Sequence, residues 1–230
     1  MDRENKQQMH LHYAVCLIGG FLGGYAIINH CGIFGNAQTA NLINTVYSII
    51  NGDFGGLVFL LLSMITYMAG MSFHTIIKRF SKIDVRALAL VFDAVAVVFA
   101  GLMCTIQNDY IALLPIIFVT SFQWCSFRTA GGYISSTIFS TNNLRQATTS
   151  LVSYAIDKKR EDIERAKFYW ITLLSFHIGV AAACAGTMFF GVHSIWFCFA
   201  PVAISAVVYI RTTEFSFSFH QKQTEKCTAK

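Results

Sequence analysis

Long apolar stretches alternate with short polar connectors along the chain, and no polar stretch is long enough to form a separate soluble domain. About 20 apolar residues are enough for an α-helix to cross the hydrocarbon core of a bilayer. A hydropathy window of about 19 residues predicts about six transmembrane helices, at residues 12–31, 55–77, 85–106, 110–127, 168–190 and 194–210. We therefore predict an all-α membrane protein in which residues 1–230 form a single integral membrane domain.

Two intermediate segments, residues 36–50 and 140–156, are too short or too polar to cross a bilayer. Each is predicted to be a short helix that lies at the interface or dips into the protein from one side. The polar C-terminal residues 213–230 are predicted to be a disordered tail, because chain ends are poorly ordered unless they dock on the fold.

Composition supports the membrane prediction. Hydrophobic residues make up 55% of the chain and charged residues 13%, whereas soluble domains carry roughly 25% charged residues. The net charge of +5 does not indicate a nucleic-acid partner, because the basic clusters adjoin predicted helix ends, where anionic lipid headgroups attract them. We expect the lipid bilayer and a small solute as partners.

The basic residues predict the orientation. With the N-terminus in the cytoplasm, all 17 Lys and Arg fall on cytoplasmic segments, and the outer connectors carry only Asp53 and Asp109 as charges. Cytoplasmic loops of membrane proteins are enriched in Lys and Arg. Both termini are therefore predicted to be cytoplasmic.

A short motif occurs once in each half of the chain, as QTANLIN at residues 38–44 and STNNLRQ at residues 140–146. Each copy follows a glycine-bearing apolar stretch and precedes two more. The halves, about 13–106 and 110–210, would each cross the membrane three times, so the second half enters from the opposite side. The matched positions are Thr39 with Thr141, Asn41 with Asn143, and Leu42 with Leu144.

Two inverted three-helix repeats, each with a short polar half-helix segment, are typical of secondary transporters with a site near the bilayer midplane. The end of a half-helix leaves backbone groups unpaired, and these groups need a ligand, water or side-chain partners. Thr and Asn suit this position because they donate and accept hydrogen bonds without a charge.

The sequences GGYAIINHCGIFGNAQTANLI and FQWCSFRTAGGYISSTIFSTNNL resemble the two halves of the YoaK-like family of bacterial multi-pass membrane proteins, whose function is unknown. The resemblance covers nearly the whole chain and implies an inner-membrane protein with about six helices. This chain has Ala26 where the family often has Asp, and Ala40 and Asn142 where Gly is usual.

Several polar residues within the apolar stretches are candidates for function. Gln123 and Tyr25 occupy corresponding positions of the two repeats, and Gln123 could bind a polar solute or hydrogen-bond a neighbouring helix. Asp93 lies about eight residues inside the third stretch, where a carboxylate is costly and marks a functional site by default. Its predicted partner is Arg128, as a gate, a proton-coupling pair or a structural ion pair.

We predict a small secondary transporter or channel-like carrier for a small polar or anionic solute. The alternatives are a non-transporting assembly or sensor protein and, less favoured, an intramembrane enzyme. The sequence has no catalytic constellation, phosphate-binding loop or metal-ligand cluster, so we expect no enzyme activity, cofactor or metal. A homodimer is compatible with six short helices. The predicted solute site comprises Tyr25, Thr39, Asn41, Gln123, Thr141 and Asn143.

Overall fold

The computed structural model describes residues 3–30, 37–104 and 109–228, and the side chains of all of these except 109–110 and 215–228. The chain contains a 3-10 helix (Gly191–Cys198) and a small antiparallel hairpin of β1 (Thr129–Ala130) and β2 (Tyr133–Ile134). The α-helices are α1 (Arg3–Asn29), α2 (Gln38–Asn51), α3 (Phe54–Phe80), α4 (Val85–Met103), α5 (Asp109–Ser126), α6 (Thr141–Asp157), α7 (Arg160–Phe190) and α8 (Phe199–Thr228).

Four helical stretches among the described residues are long and apolar enough to cross a membrane. Three are α1, α3 and α4, and the fourth, Arg160–Glu214, contains α7, the 3-10 helix and the first part of α8. The apolar part of α5, Ile111–Ser126, is shorter. A helix thus lies at each of the six predicted apolar stretches, and the fold is compatible with a membrane protein. The number of crossings remains a prediction.

The two short predicted helices are α2 and α6, and each turns back directly into the long helix that follows it. Gly52 ends α2 in the left-handed conformation at φ 69°, and the Asp53 side chain then accepts a hydrogen bond of 3.0 Å from the backbone N–H of Gly56 in α3. Lys158 ends α6 in the same conformation before α7. These turns pack α2 against α3 and α6 against α7.

Helix α1 lies at the centre of the fold. It packs mainly against α7 and α8, whereas α5 packs mainly against α3 and α4. The main apolar core includes Val15, Ile18 and Leu22 of α1 together with side chains of α4, α5 and α8. The first long helix of each half therefore contacts chiefly the last two long helices of the other half.

Glycines allow the backbones of these helices to approach closely. A Cβ atom on Gly20 would overlap the carbonyl oxygen of Phe176 in α7, and one on Gly179 would overlap that of Leu17 in α1. Gly70 of α3 gives the same close approach to α5 at Ser121. Small residues at helix crossings are the usual means of close packing between apolar helices.

The C-terminal residues 213–228 continue helix α8, which ends at Thr228. The predicted disorder of this tail stays a prediction. Adding a residue to an existing helix needs no new nucleus. A polar segment that continues an apolar helix can therefore remain helical.

Candidate solute cavity

A cavity of about 1020 Å³ lies where α2 and α6 begin. This volume is at the upper end of the roughly 300–1,000 Å³ of small-molecule sites. The cavity also has walls from α1, α3, α5 and α7, so both halves of the chain line it. Its lining residues are Gly23, Gly24, Ile27, Ala37, Gln38, Thr39, Ala40, Ile43, Tyr67, Trp124, Ile138, Phe139, Ser140, Thr141, Asn142, Arg145, Phe176 and Val180.

Both short helices start at the cavity. Helix α2 has 14 residues and α6 has 17, which correspond to about 20 and 25 Å at 1.5 Å per residue. The hydrocarbon core of a bilayer is about 30 Å thick. A helix of either length that ends at one face of the core can therefore begin well inside it.

Residues 135–140, which we name the return segment, bring the chain from the β-hairpin to the start of α6 along the side of α1. The Thr137 carbonyl oxygen lies against Gly19, where any side chain would collide with it. Gln123 of α5 donates a hydrogen bond of 2.9 Å from Nε2 to Thr137 Oγ1. His12 Nε2 lies 3.0 Å from Ser135 Oγ. These contacts fix the return segment between α1 and α5.

Asn143 holds the return segment to α6 through both atoms of its amide. Its Oδ1 accepts hydrogen bonds from Ser135 Oγ at 2.9 Å and from the backbone N–H of Ser136 at 3.4 Å. Its Nδ2 donates to the carbonyl oxygens of Ser136 at 2.7 Å and Phe139 at 3.1 Å. The Asn143 side chain is therefore fully used within the protein.

Positive charge dominates the polar part of the cavity. Among the described residues, neither Ala37 before α2 nor Ser140 before α6 caps its helix through a side-chain hydrogen bond. The free N–H groups at a helix start carry a partial positive charge. Arg145 adds a full charge one turn into α6, and the described lining residues include no Asp or Glu. This end of the cavity is suited to an anion.

The rest of the cavity lining is mainly aromatic and aliphatic. Trp124 of α5 makes an edge-to-face contact with Phe139 at 5.3 Å between ring centroids, and Tyr67 of α3 lies 6.4 Å from Trp124. Phe176 and Val180 of α7 extend this surface. A bound solute would thus have a polar group at the helix starts and apolar contact elsewhere.

The predicted solute residues divide into two groups. Thr39 and Thr141 line the cavity, as do their neighbours Ala40 and Asn142. Asn41 and Asn143 are 5% and 2% exposed and lie outside the lining. In each half, therefore, the Thr of the motif faces the cavity and the Asn is buried outside its lining.

Tyr25 and Gln123 are buried and do not line the cavity, although their neighbours Gly24 and Trp124 do. The Tyr25 hydroxyl donates a hydrogen bond of 2.9 Å to the carbonyl oxygen of Val192 in the 3-10 helix. Gln123 binds Thr137 through Nε2, whereas its Oε1 is buried with no hydrogen-bond partner among the described residues. In this structure both side chains connect elements of the fold.

The predicted contact between Asp93 and Arg128 is not made. Asp93 is fully buried, and neither carboxylate oxygen has a hydrogen-bond partner in the described part of the chain. Arg128 is exposed just beyond the end of α5. A similar depth in the membrane was the basis of the prediction, but the two side chains point to different surroundings.

The sequence did not predict that Arg145 and a group of aromatic side chains line the cavity. Arg145 belongs to the repeated motif STNNLRQ, so its position four residues after the helix start was a usable signal. The orientation rule instead counts it with the cytoplasmic residues. Tyr67, Trp124 and Phe139 come from separate elements, and no local pattern brings them together.

The fold and the cavity define an all-helical protein whose long apolar helices are consistent with a membrane location. The chain belongs to the family described as protein of unknown function DUF1275, whose model matches residues 11–208 and so covers both halves. No curated protein and no solved structure matches the chain. The more specific likeness to YoaK-like proteins stays a prediction.

Proposed function

We propose that this chain is a multi-pass carrier of the cell membrane that binds a small polar or anionic solute in the cavity between α2 and α6. One observation carries the proposal: the starts of both short helices, which bear the repeated motif, line the same cavity. Interrupted helices at matching positions of two repeats commonly form the substrate site of secondary transporters.

We further propose that the chain consists of two inverted repeats with three crossings each, at about residues 13–106 and 110–210. Exchanging the halves replaces α1 by α5, α2 by α6, α3 by α7 and α4 by α8. The main helix contacts follow this exchange: α1 packs on α7 and α8, and its counterpart α5 packs on α3 and α4. Likewise α2 on α3 corresponds to α6 on α7. This correspondence supports the proposed repeats.

Charge favours an anion over a cation as the solute. Two helix starts and Arg145 supply partial and full positive charge, and the described lining residues offer no carboxylate to bind a cation. The described lining also lacks His and Cys, so binding and passage are better supported than catalysis.

Filling the cavity is expected to stop passage. Ala40 lies at the start of α2 and lines the cavity, so Ala40→Trp would place an indole where the solute binds. Swelling of proteoliposomes, followed by light scattering, would be measured with chloride, nitrate, formate, acetate and benzoate, and with glycerol and urea as neutral solutes. We expect wild-type protein to speed the entry of at least one anion and Ala40→Trp to give the rate of protein-free liposomes.

Ile50→Trp is the matched control, because Ile50 lies on the same helix, is exposed and is not among the described lining residues. It should retain the wild-type rate. Equal rates for wild-type and protein-free liposomes with every solute would contradict the carrier. A rise in melting temperature with one of these anions, without any flux, would instead indicate a non-transporting sensor.

Removing the charge of Arg145 is expected to weaken anion binding. A hydrogen bond to a charged group contributes about 1.5–3 kcal/mol, and about 1.4 kcal/mol is a tenfold change in affinity. Arg145→Gln should therefore raise the half-saturating anion concentration about tenfold or more. Arg79→Gln is the control, because Arg79 is exposed at the end of α3, outside the described lining. If Arg145→Gln and Arg79→Gln raised the half-saturating concentration equally, the anion would bind outside this cavity.

A further inference from the structure

Asp93 is a carboxyl group in an apolar core, and no described residue pairs with its charge. It is 0% exposed, and both oxygens lack a hydrogen-bond partner among the described residues. An isolated charge buried in this way is very costly, so such a group carries its proton. A neutral, unpaired acid of this kind contributes no more to packing than an apolar side chain at the same position would.

The α4–α8 interface leads from Asp93 to one end of the helices. At that end the Tyr209 hydroxyl donates a hydrogen bond of 2.7 Å to Asp84 Oδ2, which fixes the two helices side by side. Asp84 is exposed and lies nine residues before Asp93, about 14 Å along the helix. The distance from Asp93 to the helix end at Asp84 is therefore less than half of the roughly 30 Å thickness of the hydrocarbon core.

One further polar side chain lies between these levels. Ser205 of α8 is fully buried, and its Oγ has no hydrogen-bond partner among the described residues. It is seven residues from Cys198 and four from Tyr209, so all three share one face of the helical segment. Cys198 is close enough to Asp93 for the two side chains to interact electrostatically. Ser205 therefore lies on the face that leads from Asp84 towards Asp93.

The other described surroundings of Asp93 offer no competing charge. From the 3-10 helix the titratable group that faces it is Cys198. The side chains of α3 and α5 that pack against α4 at Phe92 are aromatic, and His74 of α3 packs edge-on against Phe122. The charged groups of α4 besides Asp93 are Arg86 in its first turn and Asp84 at its cap.

We propose that Asp93 is a proton-binding site that exchanges with the side of the membrane on which Asp84 lies, by way of Ser205. On release, the carboxyl O–H bond breaks and the proton passes to water admitted along the α4–α8 interface, with the Ser205 hydroxyl as a hydrogen-bonding step. The carboxylate takes up a proton by the reverse route. We also assign the proton as the coupling ion of the carrier proposed above. This assignment rests on that proposed function.

Dicyclohexylcarbodiimide tests this directly, because it reacts with protonated carboxyl groups in apolar surroundings and leaves an adduct that mass spectrometry locates. The chain would be labelled in membrane vesicles of both orientations. An impermeant maleimide on Lys82→Cys would identify which side carries the α3–α4 connector. We expect labelling of Asp93 at neutral pH and a several-fold fall when the pH is raised on the connector side alone. Raising the pH on the other side should leave labelling unchanged.

In the Ser205→Ala variant, the labelling of Asp93 should fall several-fold more slowly than in wild type after the pH is raised. Ser63→Ala is the matched control, because Ser63 is equally buried and unpartnered among the described residues but lies on α3. Absence of labelling at every pH would overturn the proposal, as would a response to the opposite side or equal behaviour of the two serine variants. Labelling needs no solute, so this result is separate from the outcome of the flux measurements.

Discussion

Replacing Gly20 by alanine is expected to destabilise the protein strongly. The new Cβ would overlap the carbonyl oxygen and carbonyl carbon of Phe176, which are backbone atoms and cannot rotate away. Helices α1 and α7 would have to separate along their extensive contact. Overpacking of this kind costs about 1–3 kcal/mol and occasionally more. We expect a clearly lower melting temperature in detergent and a lower yield of folded protein.

Gly55→Ala is the matched control for Gly20→Ala. Gly55 also lies in a helix, and an added Cβ would meet only Asp53 Oδ1 at 3.8 Å, an ordinary contact. Because alanine favours the helix over glycine by about 1 kcal/mol, this variant should be as stable as wild type or slightly more stable. Equal melting temperatures for the two variants would show that α1 and α7 do not approach as closely as described.

Replacing Asn143 by alanine is expected to have the second large effect, also on stability. The change removes four hydrogen bonds and leaves buried polar atoms of the return segment without partners. Each unsatisfied group costs about 1–3 kcal/mol, so a total of at least about 3 kcal/mol is expected. The measurement is the melting temperature of the purified protein without any solute.

Asn142→Ala separates this structural role from solute binding. Asn142 is exposed, lines the cavity and accepts one hydrogen bond of 2.9 Å from Arg145, so its loss should change stability little. If Asn143 were instead a solute ligand, Asn143→Ala would melt like wild type without solute and lose only the response to solute. That result would restore the role predicted from the sequence.

The repeated motif shows how far the sequence leads towards the site. It predicted two short helices at equivalent positions, and the structure has both, with their starts at one cavity. Thr and Asn are two residues apart in each copy, which places them about 200° apart around a helix. They therefore cannot both face the same cavity. The sequence does not tell which of them does, because this depends on the helix against which each packs.

The sequence alone determined the apolar helices and their order, and it predicts the side on which basic residues concentrate. These are local properties, since the thickness of the bilayer fixes the length of an apolar segment and charge follows from composition. Only the tertiary structure decided that the first long helix of each half packs on the other half and that Arg145 reaches the cavity. It also decided that Asp93 has no hydrogen-bond partner among the described residues. Depth and spacing leave the direction of a side chain around its helix open. Packing between distant segments fixes that direction, through close contacts such as those at Gly20 and Gly179.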